Sequence, residues 1–274
     1  MIWRDKIVLI TGASGGIGEA TAHELARFGA IPVLIARRAS ELERVAREIS
    51  DRHAGITARW LEADITVAAD RRRIRDFVAE TYGRLDVLIN NAGITAHGRF
   101  DESDLSVLRT TMELNFFAAV ELTAELLPLM RRPATETERR ALVLVSTPSG
   151  LYGVPGRFAY SASKAAGHAW METLRSELRE DGIDTIIFCP GYTRTNLRTS
   201  GLAADGGRLS ESQAASAKDP AYMAGLLRRA VERRKRVALT GFSGSLVYWL
   251  RTLAPGALEW LMRKKLRHDM KKTL

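Results

Sequence analysis

Cysteine is almost missing from this 274-residue sequence, with Cys189 as its one thiol. That excludes an intrachain disulfide framework, fits a reducing compartment, and makes Cys189 read as a buried core residue. An export leader is also missing. Met1 to Lys6 runs straight into an apolar, strand-like segment without a basic-then-apolar stretch or a cleavage site, which points to a cytoplasmic protein. No bilayer-length apolar run is present. The most apolar part of the C-terminal region is interrupted by Arg251 and Pro255 and falls short of the roughly 20 residues that a membrane span takes. Finally, most of the chain has no excess of positive charge. The formal charge is +9, but residues 228–274 hold 13 of the 41 Lys and Arg and only 3 of the 32 Asp and Glu, a net of +10, leaving 28 against 29 elsewhere, a net of −1. A neutral body with no nucleic-acid motif argues against a nucleic-acid partner. The length is ample for one sizeable core and short for two, so one domain is expected.

What is present begins at Tyr160-Ser161-Ala162-Ser163-Lys164, where a phenol and an ammonium four residues apart share a helix face. An ammonium beside a phenol favours the phenolate, which makes Tyr160 a candidate general acid or base with a lowered pKa. Upstream, Lys6 to Thr11 is a short apolar β-branched run. It is followed by Gly12-Ala13-Ser14-Gly15-Gly16-Ile17-Gly18 and then by a helical pattern ending at Gly29. Strand, glycine turn, helix is the arrangement that lets a backbone approach a pyrophosphate and hold it on the first helical amides. The next strand, Ile31 to Ala36, ends where NAD enzymes place an acid for the adenosine ribose. Here no carboxylate is available, and Arg37 and Arg38 follow, which suits a 2′-phosphate. Arg37 is expected to dominate. Helical stretches at Glu41–Ser50 and Asp70–Tyr82 alternate with apolar runs ending at Glu62-Ala63-Asp64-Ile65 and at Asn90-Asn91-Ala92-Gly93. That alternation predicts an α/β fold: a single-domain, Rossmann-like, doubly wound parallel sheet with helices on both faces.

With these motifs in order, the sequence resembles the short-chain dehydrogenase/reductase family. The likeness rests on Thr11-Gly12-x-x-x-Gly16-Ile17-Gly18, Asp64, Asn90 to Gly93, Asn115, a hydroxyl after the fifth strand, Tyr160-x-x-x-Lys164 and Pro190-Gly191. It covers roughly the first two-thirds of the chain. The resemblance implies NAD(P)-dependent oxidation of alcohols or reduction of carbonyls, with no metal, in a homodimer or homotetramer; with the arginine pair, NADP(H) is the expected cofactor. By the same resemblance, Tyr160 protonates the carbonyl oxygen, and Lys164 holds the nicotinamide ribose and lowers the tyrosine's pKa. Asn115, in a helical run from Leu105 to Leu127, holds a water behind that lysine. Gly12, Ser14, Gly16, Ile17 and Gly18 surround the pyrophosphate, Asp64 and Ile65 flank the adenine, and Asn91, Ala92 and Gly93 lie beside the adenosine ribose. Pro190, Gly191, Thr193 and Thr195 approach the nicotinamide and phosphates.

The family's substrate-polarising serine stands thirteen residues before the tyrosine. Here that position is Thr147, with Ser146 and Ser149 as alternative donors. The Ala-, Gly- and Ser-rich stretch 194–220 reads as a substrate lid, and Tyr152, Phe158 and Tyr192 as pocket walls or core. The body is assigned to residues 1–240. Residues 241–274 form an amphipathic, basic extension: Leu246, Trp249, Leu250 and Leu253, then Leu258, Leu261 and Met262, fall at helical spacing, with Arg263, Lys264, Lys265, Arg267, Lys271 and Lys272 after them. Such a tail suits either a peripheral membrane contact or packing on protein. A catalytically silent nucleotide-binding sensor or scaffold is the alternative function.

Overall fold

The computed structural model describes residues 3–131, 139–195, 197, 199–209 and 217–270, with the backbone alone at 242, 243 and 265–270. Seven parallel strands form one sheet: β1 (Ile7–Thr11), β2 (Ile31–Ala36), β3 (Arg59–Glu62), β4 (Val87–Asn90), β5 (Arg140–Val145), β6 (Ile183–Cys189) and β7 (Val237–Leu239). Their order is β3-β2-β1-β4-β5-β6-β7. Strands β1, β4 and β5 are buried along their whole lengths, so both faces of the sheet must be covered.

Helices α1 (Gly16–Arg27), α2 (Ala39–Arg52), α3 (Ala68–Tyr82), α4 (Leu105–Met112), α5 (Ala118–Met130), α6 (Phe158–Glu177) and α7 (Pro220–Glu232) provide that cover. One core joins Val8, Ile10 and Val143 to Leu25 of α1, Leu42 of α2 and Leu227 of α7. The other joins Leu9, Leu88 and Leu142 to Ile74 of α3, Leu122 of α5 and Met171 of α6. This is the doubly wound architecture expected from the alternating pattern.

The strand order turns back between β1 and β4, and the carboxyl ends of those two strands carry the glycine loop and Asn91-Ala92-Gly93. Open α/β sheets bind ligands at such a switch point. The two loops lie against each other: a Cβ added at Gly12 would stand 3.0 Å from Ala92 Cα.

Two elements depart from their expected form. The single helix expected over Leu105–Leu127 is interrupted by a π turn at Glu113–Phe117, and the helical path resumes to Met130. The stretch 194–220 is partly paired, with isolated bridges joining Thr193 to Lys218, Ala96 to Leu202 and Leu202 to Arg208. Residues 196, 198 and 210–216 of that proposed lid lie outside the described residues, as do Lys271 and Lys272. Past β7, helices α8 (Phe242–Leu253) and α9 (Pro255–Met270) form the extension. The break expected at Pro255 is present: α8 ends before it and Pro255 opens α9, since a first-turn proline lacks only an amide that has no intrahelical partner. Among the described residues no helix is long and apolar enough to cross a membrane.

Candidate active site

At the end of β1, the Thr11 hydroxyl accepts hydrogen bonds from the Asn91 and Ala92 amides, both at 3.0 Å. The Asn91 carboxamide donates to the Thr11 carbonyl at 2.8 Å and to the Gly12 carbonyl at 3.3 Å. Asn91 therefore braces the loop through its Nδ2. The bracing depends on glycine at position 18, where an added Cβ would fall 2.4 Å from the Gly12 carbonyl oxygen. Gly16 has φ +58°, and a Cβ there would press on Thr195 at 2.9 Å. Helix α1 begins at Gly16 with no side-chain cap on its first amides. A cradle bare of side chains, closing on uncapped helical amides, fits a dinucleotide pyrophosphate.

Beside this loop the two arginines behave differently. Arg38 Nη2 donates to the Ser14 carbonyl at 2.8 Å and lies 3.1 Å from the Ser14 hydroxyl. Arg37 points toward Asp64, 3.7 Å away, and is mostly exposed. Arg38 is thus held at the loop by Ser14, while Arg37, expected to dominate cofactor choice, faces Asp64. Arg38 lines an open cleft of about 840 Å³ whose walls also include Ser14, Gly15, Gly16, Arg194 and Thr195. Asp64 also accepts from the Thr66 amide and hydroxyl, at 3.0 and 2.7 Å. Ile65 is buried in the core. Farther along, the Gly191 amide donates to the Thr240 hydroxyl at 2.6 Å, and the Thr193 hydroxyl donates to the Gly191 carbonyl at 2.9 Å; these close the turn after Pro190.

The second half of the site gathers at the ends of β4 and β5. Tyr160, Lys164, Asn115 and Ser146 are all buried. Burial pushes the Tyr160 phenol up to about 12, while the positive charge of Arg157 and a hydrogen bond from the Thr147 side chain pull in the other direction. Burial likewise pushes the Lys164 ammonium down to about 8. The expected lowering of the tyrosine by the lysine is not found, because desolvation penalises both charged forms. Lys164 Nζ donates to the Val145 carbonyl at 3.0 Å.

Thr147 therefore neighbours the phenol, as the spacing indicated, and also caps the 3-10 turn Pro148–Gly150 through the Ser149 amide. Ser146, next in the chain, is turned away: its hydroxyl is 2.7 Å from His168 Nε2. Burial holds His168 down at about 4, so it is neutral at pH 7. The π turn carries Asn115 inward. Its Oδ1 accepts from the Ile94 amide at 2.8 Å, and its Nδ2 donates to the Ile94 carbonyl at 2.9 Å and to the Ser163 hydroxyl at 3.0 Å. That carboxamide is a brace between the loop after β4 and α6. Gly93 makes room for it, since a Cβ there would stand 2.8 Å from Asn115 Oδ1 and 3.4 Å from Lys164 Nζ.

Of the aromatic walls, Phe158 packs edge-on against Phe100 at 5.4 Å and belongs to the small cluster around Tyr160, whereas Tyr192 is half exposed. Sequence reasoning missed Ser163 and His168. Ser163 stands inside the motif, but its partner Asn115 is 48 residues away, and His168 meets Ser146 across 22 residues.

Known proteins share this arrangement over most of the chain. The family model described as short chain dehydrogenase matches residues 6–205. A dehydrogenase/reductase SDR family protein 7-like from Anopheles gambiae is 36% identical over 95% of this chain and 83% of its own length. A short-chain dehydrogenase from Streptomyces avermitilis is 31% identical, covers 98% of both chains and superposes with a TM-score of 0.77. A short chain dehydrogenase from Shigella flexneri, solved with NADP, is 30% identical over 80% of this chain and 88% of its own, with a TM-score of 0.71. With the glycine cradle, the braced loop after β4 and the buried Tyr160 and Lys164 found together in one such sheet, this chain belongs to the short-chain dehydrogenase/reductase family of oxidoreductases.

Proposed function

We propose that the protein is an NADP(H)-dependent carbonyl reductase acting on a ketone, or on the corresponding secondary alcohol in reverse. The observation that carries this reading is the convergence of Tyr160, Thr147 and Lys164 at the sheet edge that also bears the glycine cradle. Bound NADPH would supply the hydride. Tyr160 donates the proton to the carbonyl oxygen, and the Thr147 hydroxyl donates a hydrogen bond to the same oxygen as its charge develops. Burial keeps the phenol protonated at neutral pH, the form that a proton donor to the carbonyl needs. Lys164 uses one of its three donors on Val145 and keeps two for the nicotinamide ribose. Asn115 acts as a positioning residue that fixes the loop after β4 against α6. Arg38 with Ser14 forms the clamp for the 2′-phosphate, and Arg37 adds charge beside Asp64. The family resemblance supports a cytoplasmic homodimer or homotetramer.

Tyr160→Phe tests the reading directly, because it removes the proton and keeps the ring. Turnover of a ketone panel with NADPH should fall roughly 10²-fold to 10⁴-fold, the usual share of a positioned acid, while NADPH binding by fluorescence titration stays near wild type. If wild type and variant reduce the same ketone equally, Tyr160 is not the acid. If the wild type turns over no carbonyl while still binding NADPH, the catalytically silent sensor becomes the better account.

A further inference from the structure

The apolar face of the C-terminal extension is turned outward. In α8, Leu246, Trp249 and Leu253 recur at helical spacing and are 40%, 59% and 74% exposed. In α9, Trp260 is 61% exposed, Leu261 is also exposed, and Leu258 alone of the described apolar residues is fully buried. Helix α8 is nonetheless seated on the body, and α9 packs on α8. Gly244 of α8 lies against Pro148, with an added Cβ 3.4 Å from Pro148 Cγ, so the extension adjoins the turn that Thr147 caps. An amphipathic helix that docked by its apolar face would bury these residues, and these do not. Contiguous exposed apolar surface of this kind marks a docking site.

Charge selects the occupant. Arg251, Arg263 and Lys264 are exposed on the same two helices, Lys264 Nζ stands over the Trp260 ring at 5.3 Å, and Lys265, Arg267, Lys271 and Lys272 follow in sequence. Residues 241–274 hold seven Lys and Arg against Glu259 and Asp269, a net of +5. A second copy meeting this face with its own would set like charges against each other. An anionic lipid surface offers the opposite sign over an apolar interior, and it takes tryptophan and leucine at its boundary with basic residues at its headgroups. We infer that α8 and α9 dock the protein on an anionic membrane surface, lying on it without spanning it.

Full-length protein is mixed with vesicles of phosphatidylcholine alone or of phosphatidylcholine with phosphatidylserine, at low and high salt, and sedimented. Binding is expected only to the serine-containing vesicles, with release at high salt. Trp249→Glu and Leu253→Glu should each weaken binding by roughly tenfold or more while leaving the thermal unfolding midpoint in place, which shows that the fold is kept. The inference is overturned if the protein stays in the supernatant with both vesicles, if it binds the neutral vesicles equally, or if folded variants bind as wild type does. Concentration-dependent self-association that Leu253→Glu abolishes, without lipid binding, would assign the face to a second copy instead.

Discussion

Ser146 and Thr147 are consecutive at the end of β5, yet only Thr147 reaches the phenol, because β-strand side chains alternate and His168 holds the Ser146 hydroxyl. The family's thirteen-residue spacing put Thr147 first and left Ser146 and Ser149 open. What ties down its neighbour was not readable, since His168 is a tertiary partner. Thr147→Val should therefore lower kcat by a factor of ~10² or more, the common value of one oxyanion donor, and Thr147→Ser should keep most of it. Ser146→Ala should instead cost about 1 kcal/mol of stability, the net worth of one hydrogen bond, with little change in kcat. Chemical denaturation and steady-state rates on the three variants check the order, and a larger kcat loss in Ser146→Ala would move the role there.

Lys164 gives a pH signature. Its ammonium titrates near 8 in the folded protein against an ordinary 10.5, so below 8 the folded state bears the full cost of a buried charge. Between 8 and 10.5 the folded state sheds a proton that the unfolded chain still binds, and stability rises with pH, by roughly 3 kcal/mol at most. Tyr160 opposes this from about 10 upward, where the unfolded phenol ionises and the folded one does not. The stability difference between Lys164→Met and wild type, followed by denaturation from pH 7 to 10, should start in the variant's favour and shrink. A difference that stays constant would mean that Lys164 is not charged and buried as described.

At the scale of elements, strands and helices were legible because hydrophobic spacing changes from runs to a 3.6-residue period, and those patterns survive folding into either core. The π turn at Glu113–Phe117 was not, since one wide turn leaves the apolar period on both sides intact. Its trace in the sequence is Asn115 between Leu114 and Phe116, a polar residue that the turn rotates into the interior. The choice between Arg37 and Arg38 was equally hidden: adjacent residues leave a strand end in different directions, and the turn decides which meets Ser14. Gly93 tests the turn's purpose. Gly93→Ala would drive a Cβ to 2.8 Å from Asn115 Oδ1 and 3.4 Å from Lys164 Nζ, so the brace has to shift. Overpacking of this kind costs roughly 1 to 3 kcal/mol, and turnover should fall more than tenfold with NADPH affinity less affected. Unchanged kcat together with unchanged unfolding would show that Asn115 does not need its place.

For the whole molecule, cofactor choice becomes visible as stability, because a ligand that binds only the folded state adds RT ln(1 + [L]/Kd) to it. At one hundred times Kd that is about 2.7 kcal/mol, and a domain of this size gains roughly 2 to 4 °C in Tm per kcal/mol. NADPH at that level should raise Tm by roughly 5 to 10 °C. NADH lacks the 2′-phosphate that Arg38 and Ser14 are placed to hold, and the loss of a charged hydrogen-bond partner costs about 1.5 to 3 kcal/mol. At the same concentration NADH should therefore give about half that shift or less. Arg38→Ala should reduce the NADPH shift to the NADH value, and Arg37→Ala should reduce it by a smaller amount, since Arg37 is drawn to Asp64. The NADH shift itself should survive both substitutions, because the glycine cradle and the α1 amides are untouched. Equal shifts from the two cofactors in the wild type would leave the arginine pair as solvated charge and the NADP preference without support.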